Sequence, residues 1–300
     1  MRDLTSLQKQ LPAVCELKYF EPMSNHTSFR IGGDAEIMAF PKNAEELSAV
    51  LKAAADIDVM PRILGAGTNV LAPDAPLEGI VICLKDCLDG MELLEGDRIR
   101  VMAGVTMTRA AVFAANHGLS GLEFAHGIPG TVGGGVYMNA GAYGGEICQV
   151  FESAIVMRPD GALGTFTASD MAFSYRHSAL EETGDIVVST VFQLKKSSTD
   201  EIKAKMKELM MKRSASQPLD LPSAGSAFKR PVGGYAAALI DEAGLKGYQI
   251  GGAAISTKHA GFAVNLGGAT AEDVKKLLKN VSDIVFEKSG IHLEPEVRIW

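Results

Sequence analysis

Basic charge, paired cysteines and long apolar runs are all scarce in this chain, and each shortage narrows what it can be. With 29 basic against 36 acidic residues and a net charge of -7, the composition offers no basic face for nucleic acid or an anionic membrane. No run approaches the ~18 apolar residues of a membrane span, and the opening MRDLTSLQKQLPAV lacks the apolar segment of a signal peptide. The expected setting is the cytoplasm, with small molecules as partners and neither nucleic acid nor membrane. Cys15, Cys83, Cys87 and Cys148 form no CxxC pair and read as reduced, mostly buried thiols. His26, His117, His126, His177, His259 and His292 show no HxH or HxxxH pairing, so no metal site is expected. There is no GxGxxG run and no Gly-Lys dipeptide, which removes the Rossmann fingerprint and the P-loop.

What the chain has in excess, in one place, is glycine. The stretch HGIPGTVGGGVYMNAGAYGGE, residues 126–146, holds eight glycines in 21 residues and no charge between its ends. Glycine costs about 0.5–1 kcal/mol relative to alanine inside a helix or strand, so the cluster argues against ordinary regular structure. A linker would be polar, whereas this stretch carries Ile128, Val132, Val136, Tyr137, Met138 and Tyr143. A second turn, in RILGAGTNVLAP, has little side-chain bulk at Gly65, Ala66, Gly67, Thr68 and Asn69. Two such loops suit a diphosphate lying on main-chain N–H groups, with Thr68, Asn69, Thr131 and Asn139 as neutral donors and acceptors.

Around these loops, strand and helix signals alternate. Asn43 and Glu46 open a helix with Leu47, Val50, Leu51 and Ala54 on one face. Strands are expected at 79–84, 98–103, 154–158, 164–166 and 186–194, and a helix at 107–116 that Gly118 stops. A charged helix at 200–213 precedes SASQPLDLP, the expected boundary. Beyond it the patterns give a helix at 235–243, strands at 249–255 and 261–265, and a helix from Thr270 to Gly290 with Val274, Leu277, Leu278, Val281, Ile284 and Val285 inward. HLEPEVRIW closes the chain as a strand.

The two loops, LGAGTNVL at 64–71 and HGIPGTVGGGVYMNAGAYGGE, resemble the FAD-pyrophosphate loops of the UDP-N-acetylenolpyruvoylglucosamine reductase family, within the vanillyl-alcohol-oxidase (PCMH) type of flavin fold. NHTSFRIGG at 25–33, FSYRHS at 173–178, PSAGSAFKRP at 222–231, KHAGFAVN at 258–265 and LEPEVRIW at 293–300 are similar to further motifs of that family. There is no room for the tyrosine-bearing loop of its longer members, so the resemblance is to the shorter, second type. Thr68 stands where serine is usual and Gly135 where alanine is usual; both keep small size.

The resemblance implies an α+β flavoenzyme in two parts. Residues 1–198 would form the FAD-binding region, its PCMH-type portion spanning about 28–196, and 199–300 a smaller α+β substrate domain whose last strand returns to the FAD region. Noncovalent FAD would lie on Leu64, Gly65, Ala66, Gly67, Thr68, Asn69 and Val70, and on Gly127, Ile128, Pro129, Gly130, Thr131, Gly133, Gly134, Asn139, Ala140 and Gly141. The activity implied is that of an NADPH-dependent UDP-N-acetylmuramate dehydrogenase: UDP-N-acetylglucosamine enolpyruvate is reduced to UDP-N-acetylmuramate in peptidoglycan precursor synthesis. A monomer is the expected state.

Hydride added to the terminal carbon of an enolpyruvyl ether pushes charge onto its carboxylate side, and the carbanion then needs a proton. Arg176 offers a planar, permanent charge for the carboxylate; on residue type alone it is equally a surface arginine in a turn. Ser226, between Gly225 and Ala227, is a turn serine unless its hydroxyl faces a cleft, where it would suit a strongly basic carbanion. The resemblance implies that Ser226 is the proton donor and that Glu296 completes the catalytic set, polarising the intermediate or relaying a proton. Without it, Glu294, Glu296 and Arg298 read as one face of a surface strand. His259, Lys229 and Asn265 are candidate substrate ligands, His259 for the diphosphate and Lys229 for that diphosphate or a cofactor phosphate. An alcohol or sugar oxidase of the same fold and a non-catalytic nucleotide-binding module are the rival classes; the oxidase would not need the SAGSAF serine or the EPEV glutamate, and the module would show no flavin turnover.

Overall fold

Capping chemistry decides most of the helices. The computed structural model describes Leu11 and residues 14–300; the expectation that the N-terminus is not a signal peptide falls mostly on residues 1–10, 12 and 13, which lie outside the described residues. Asn43 accepts from the Glu46 N–H at 2.8 Å and opens the helix Ala44–Ala55, which buries Leu47, Val50, Leu51 and Ala54 as the periodicity requires. Thr106 caps Met107–Asn116, and Gly118 follows it in left-handed backbone. Thr270 and Asp273 exchange reciprocal bonds at the start of Ala271–Ser289, which Gly290 ends at φ +70°. That helix buries Val274, Leu277, Leu278, Val281 and Val285, each worth at most about 1.5–3 kcal/mol in apolar burial, with Ile284 half-buried.

The chain forms two units. Among the described residues, the first comprises Leu11, 14–20, 36–66 and 78–211; the second comprises 21–35, 67–77 and 212–300. The turn at residues 65–67 therefore leaves the first unit after Ala66 and enters the second at Gly67, and the helix Thr199–Ser216 runs from one into the other.

In the first unit a four-stranded sheet runs in the order Glu16–Pro22, Asp34–Phe40, Leu77–Cys83, Arg62–Leu64, the last pair parallel. A five-stranded antiparallel sheet runs Leu163–Thr167, Phe151–Met157, Ile186–Gln193, Arg98–Met102, Met91–Leu94. Cys83 and Cys87 are buried, Cys15 and Cys148 partly so, and all four are free thiols. The second unit packs Phe29, Ile31 and Leu71 with the apolar faces of Ala236–Glu242 and Ala271–Ser289 and with a four-stranded sheet ordered Ser223–Ser226, Phe262–Asn265, Ala253–Ile255, Gln249–Ile250.

Three local expectations fail. The glycine cluster contains a helix, Val132–Tyr137, with three consecutive glycines inside it. The reason is close approach: a Cβ on Gly133 would lie 2.9 Å from the Ala103 Cβ, and one on Gly135 2.7 Å from the Met107 Sδ. Residues 249–255 are a hairpin and not one strand, because Gly251 turns at φ +55° where a Cβ would strike the Asp273 carboxylate, and a Cβ on Gly252 would strike the Ala269 backbone. The terminal strand is confined to Arg298–Ile299, paired in parallel with Val70–Leu71. Alternation therefore does not put Glu294 and Glu296 on one face, and Glu294 instead pairs with Lys229 at 2.5 Å.

Candidate active site

In the first unit the arginine motif is bonded to the glycine cluster. Arg176, at φ +57°, donates from Nη2 to the Gly141 carbonyl at 3.0 Å, and Ser178 Oγ donates to the Tyr137 carbonyl at 2.8 Å. Asn139, 1% exposed and at φ +42°, donates to the Ser174 carbonyl at 3.0 Å and to Glu146 Oε2 at 3.3 Å, and accepts from the Cys148 N–H at 3.0 Å. Both donors of its amide and one acceptor site of its oxygen are thus engaged inside the protein. Glu146 is a residue the sequence reading missed; its chain position beside the cluster was the only signal.

The cluster is not a continuous wall of N–H groups. The amides of Ile128, Val132, Gly133, Gly134 and Gly135 donate to Ala125 O, Val105 O, Ala103 O, Thr131 Oγ1 and Thr131 O. By contrast, the amides of Gly65, Ala66 and Gly130 have no acceptor among the described residues. Gly65 and Thr131 touch closely enough that a Cβ on Gly65 would lie 2.5 Å from Thr131 Oγ1. Gly134 differs from its neighbours: a Cβ there would meet only Thr131 Oγ1, at an ordinary 3.5 Å. Packing does not require glycine at 134, so its bareness leaves space for something other than protein.

In the second unit the serine, glutamate and asparagine of the remaining motifs share one frame. Ser226 ends the strand Ser223–Ser226 with its side chain exposed, after Gly225 at φ +77°. The Ala227 carbonyl beside it accepts from the Glu296 N–H at 2.9 Å. Asn69 Nδ2 donates to the Glu296 carbonyl at 3.1 Å, and the Asn69 carbonyl accepts from the Arg298 N–H at 2.9 Å. Lys229, half-buried, is held by its N–H to the Glu294 carbonyl as well as by its ion pair.

Asn265 is a brace: buried, it donates to the Phe29 carbonyl at 3.0 Å and accepts from the Gly267 and Ala269 amides. His259 accepts at Nδ1 from the Gly261 N–H at 3.1 Å, so its remaining proton is on Nε2, and burial holds its pKa below the ordinary 6.5. It would offer a diphosphate a neutral N–H and not a charge. Asp74, absent from the sequence reading, accepts from the Ala271 and Glu272 amides at 2.7 and 3.1 Å and ties residues 67–77 to the start of Ala271–Ser289. Nothing in the local sequence around Asp74 signals that role.

Among the described residues no group of three His, Cys, Asp or Glu side chains is placed to hold a metal ion, and no helix is long and apolar enough to cross a membrane.

Two family models match the chain: an FAD binding domain over residues 35–167, and the C-terminal domain of UDP-N-acetylenolpyruvoylglucosamine reductase over 217–300. The UDP-N-acetylenolpyruvoylglucosamine reductase of Streptococcus pyogenes is 46% identical over 95% of this chain and 96% of its own length. The crystal structure of the Thermus caldophilus enzyme of that name superposes with a TM-score of 0.81 at 36% identity, covering 95% of this chain and 98% of that one. A glucooligosaccharide oxidase of Acremonium strictum, at a TM-score of 0.50 and 14% identity over 97% of this chain and 60% of that one, shares the fold alone.

Proposed function

Because this chain belongs to the UDP-N-acetylenolpyruvoylglucosamine reductase family, we propose that it is an FAD-dependent oxidoreductase reducing UDP-N-acetylglucosamine enolpyruvate to UDP-N-acetylmuramate, with NADPH as reductant, in peptidoglycan precursor synthesis. The observation that carries the reading is the seating of Glu296. Its N–H is bonded beside Ser226 and its carbonyl to Asn69 of the first glycine turn, so the backbone that carries the carboxylate is tied both to the serine strand and to a loop of the cofactor motif.

The residues present fit FAD. The amides of Gly65, Ala66 and Gly130 would receive its diphosphate, and Gly134 would let it approach where a side chain would stand in the way. When bound, FAD supplies the hydride that NADPH provides and that the enolpyruvyl carbon receives. The protein's part is charge, proton and orientation. Arg176 holds the substrate carboxylate, and as charge develops there its fixed guanidinium stabilises it more strongly than in the ground state. Its anchorage on Gly141 restricts the guanidinium to one direction, so little reorganisation is needed. Ser226, exposed at the end of its strand, donates the proton that quenches the carbanion. Glu296 polarises the intermediate or relays that proton. His259 and Lys229 are the diphosphate ligands of the substrate, the first as a neutral donor. Asn265 acts by bracing the Phe29 segment.

The test is spectroscopic. The purified protein should be yellow, with a band near ~450 nm that heat or acid releases from the polypeptide. NADPH should bleach it anaerobically, and the enolpyruvyl substrate should restore the colour. Double-reciprocal plots should be parallel, since both ligands must use one flavin face in turn. A protein that bleaches with NADPH but is not reoxidised by the enolpyruvyl substrate would refute the proposed reaction.

A further inference from the structure

We propose that Asn139 is a positioning residue for Arg176, holding the arginine turn on the glycine cluster. The inference rests on the role given above to Arg176. Alternate residues of the cluster grip alternate residues of the turn: the Tyr137 carbonyl takes the Ser178 hydroxyl, the Asn139 amide takes the Ser174 carbonyl, and the Gly141 carbonyl takes the Arg176 guanidinium. Ser174 and His177 exchange backbone bonds at 3.2 Å, closing the turn on itself. Within it Arg176 is in left-handed backbone, a conformation that a non-glycine residue keeps only when its surroundings over-determine it.

Asn139 takes part through its side chain. Its amide must donate on one side, to a carbonyl and to the Glu146 carboxylate, and accept on the other, from the Cys148 N–H. Aspartate would set two carboxylates together and lose both donors. An apolar residue would leave buried groups unpaired. Asparagine is also the side chain that best tolerates the left-handed backbone found here, at φ +42°. Losing Asn139 therefore removes no charge from the site. It frees the turn that aims a charge.

The experiment uses the FAD-loaded protein and stopped-flow absorbance of each half-reaction, together with FAD content. Asn139→Gly deletes the amide while keeping the backbone unstrained. It should slow reoxidation by the enolpyruvyl substrate at least about 10-fold more than it slows reduction by NADPH. The double variant Asn139→Gly/Arg176→Ala should be no slower than Arg176→Ala alone, because a residue that acts only through Arg176 has nothing left to aim. If Asn139→Gly does not fold, Ser178→Ala, which removes only the bond to Tyr137, carries the same test and should show the same split and the same non-additivity. Equal slowing of both half-reactions, or a double variant slower by the product of the single effects, overturns the proposal while leaving the reaction intact. A wild-type protein that is never reoxidised by the enolpyruvyl substrate overturns both.

Discussion

A Cβ built on Gly65 would stand 2.5 Å from the Thr131 hydroxyl, so the two glycine-rich loops of this chain meet within one unit at a contact that admits no side chain. That hydroxyl accepts from the Gly134 N–H at 3.3 Å as the cap of Val132–Tyr137. Gly65→Ala should displace it and destabilise the protein by about 0.5–2 kcal/mol, the usual value of an N-cap. In a Thr131→Ala background the obstruction is gone and the same substitution should cost much less. Chemical denaturation of the four proteins checks this; an equal cost in both backgrounds would place the strain elsewhere.

Gly134→Ala should move stability and cofactor affinity in opposite directions. Alanine in a helix is worth up to about 1 kcal/mol over glycine, and a Cβ here meets nothing closer than 3.5 Å, so the FAD-free protein should melt higher. FAD retention should fall, because the methyl group occupies the approach reserved for the diphosphate. Calorimetry of the FAD-free protein and fluorescence titration with FAD measure the two effects. Unchanged FAD affinity would remove Gly134 from the cofactor contacts. Gly130 is a poorer probe, since at φ +131° any side chain is strained whether or not a ligand is near.

Ser226→Ala separates proton donation from hydride delivery. Reduction by NADPH requires no proton from the serine, whereas reoxidation must protonate a carbanion. Bleaching should proceed normally, and reoxidation should slow by roughly 10²–10⁴-fold, the usual loss for a positioned general acid. Arg176→Ala should instead weaken substrate binding as well as slow the step. Equal slowing of both halves in Ser226→Ala would leave the serine a packing role only.

Asp273 carries a pH signature of the second unit. Hydrogen bonds donated by the Thr270 and Gly252 backbone amides hold its carboxyl below the ordinary 3.8. A depressed carboxylate contributes stability above its unfolded pKa, and that contribution is lost as pH falls through the folded one. Denaturation of wild type and Asp273→Asn should therefore differ by a constant amount near neutrality, and the difference should shrink below pH ~3.8. A gap that stays constant into strong acid would show that the side chain acts by shape and not by charge.

The sequence by itself determined the parts that depend on neighbours in the chain. Asn43 with Glu46, and Thr270 with Asp273 and Gly290, mark helix ends because capping bonds span three residues and a left-handed stop needs glycine. The fold class and the family were legible in ordered motifs, above all the two loops that carry Gly65 and Thr131. Tertiary structure decided what glycine, asparagine and aspartate do at a distance. The helix Val132–Tyr137 needs glycine at 133 and 135 because Ala103 and Met107 lie too close for a Cβ, which no local propensity encodes. Residues 249–255 turn back at Gly251 because the Asp273 carboxylate, from a helix later in the chain, stands where a Cβ would go. Asp74 reaches the amides of Ala271 and Glu272, and Asn139 spends its amide on Ser174 and Cys148. A short polar side chain in a sequence has several possible partners, and the backbone groups that the fold brings within its reach make the choice; for the buried Asn139 an unpaired amide would cost more than any local preference can return.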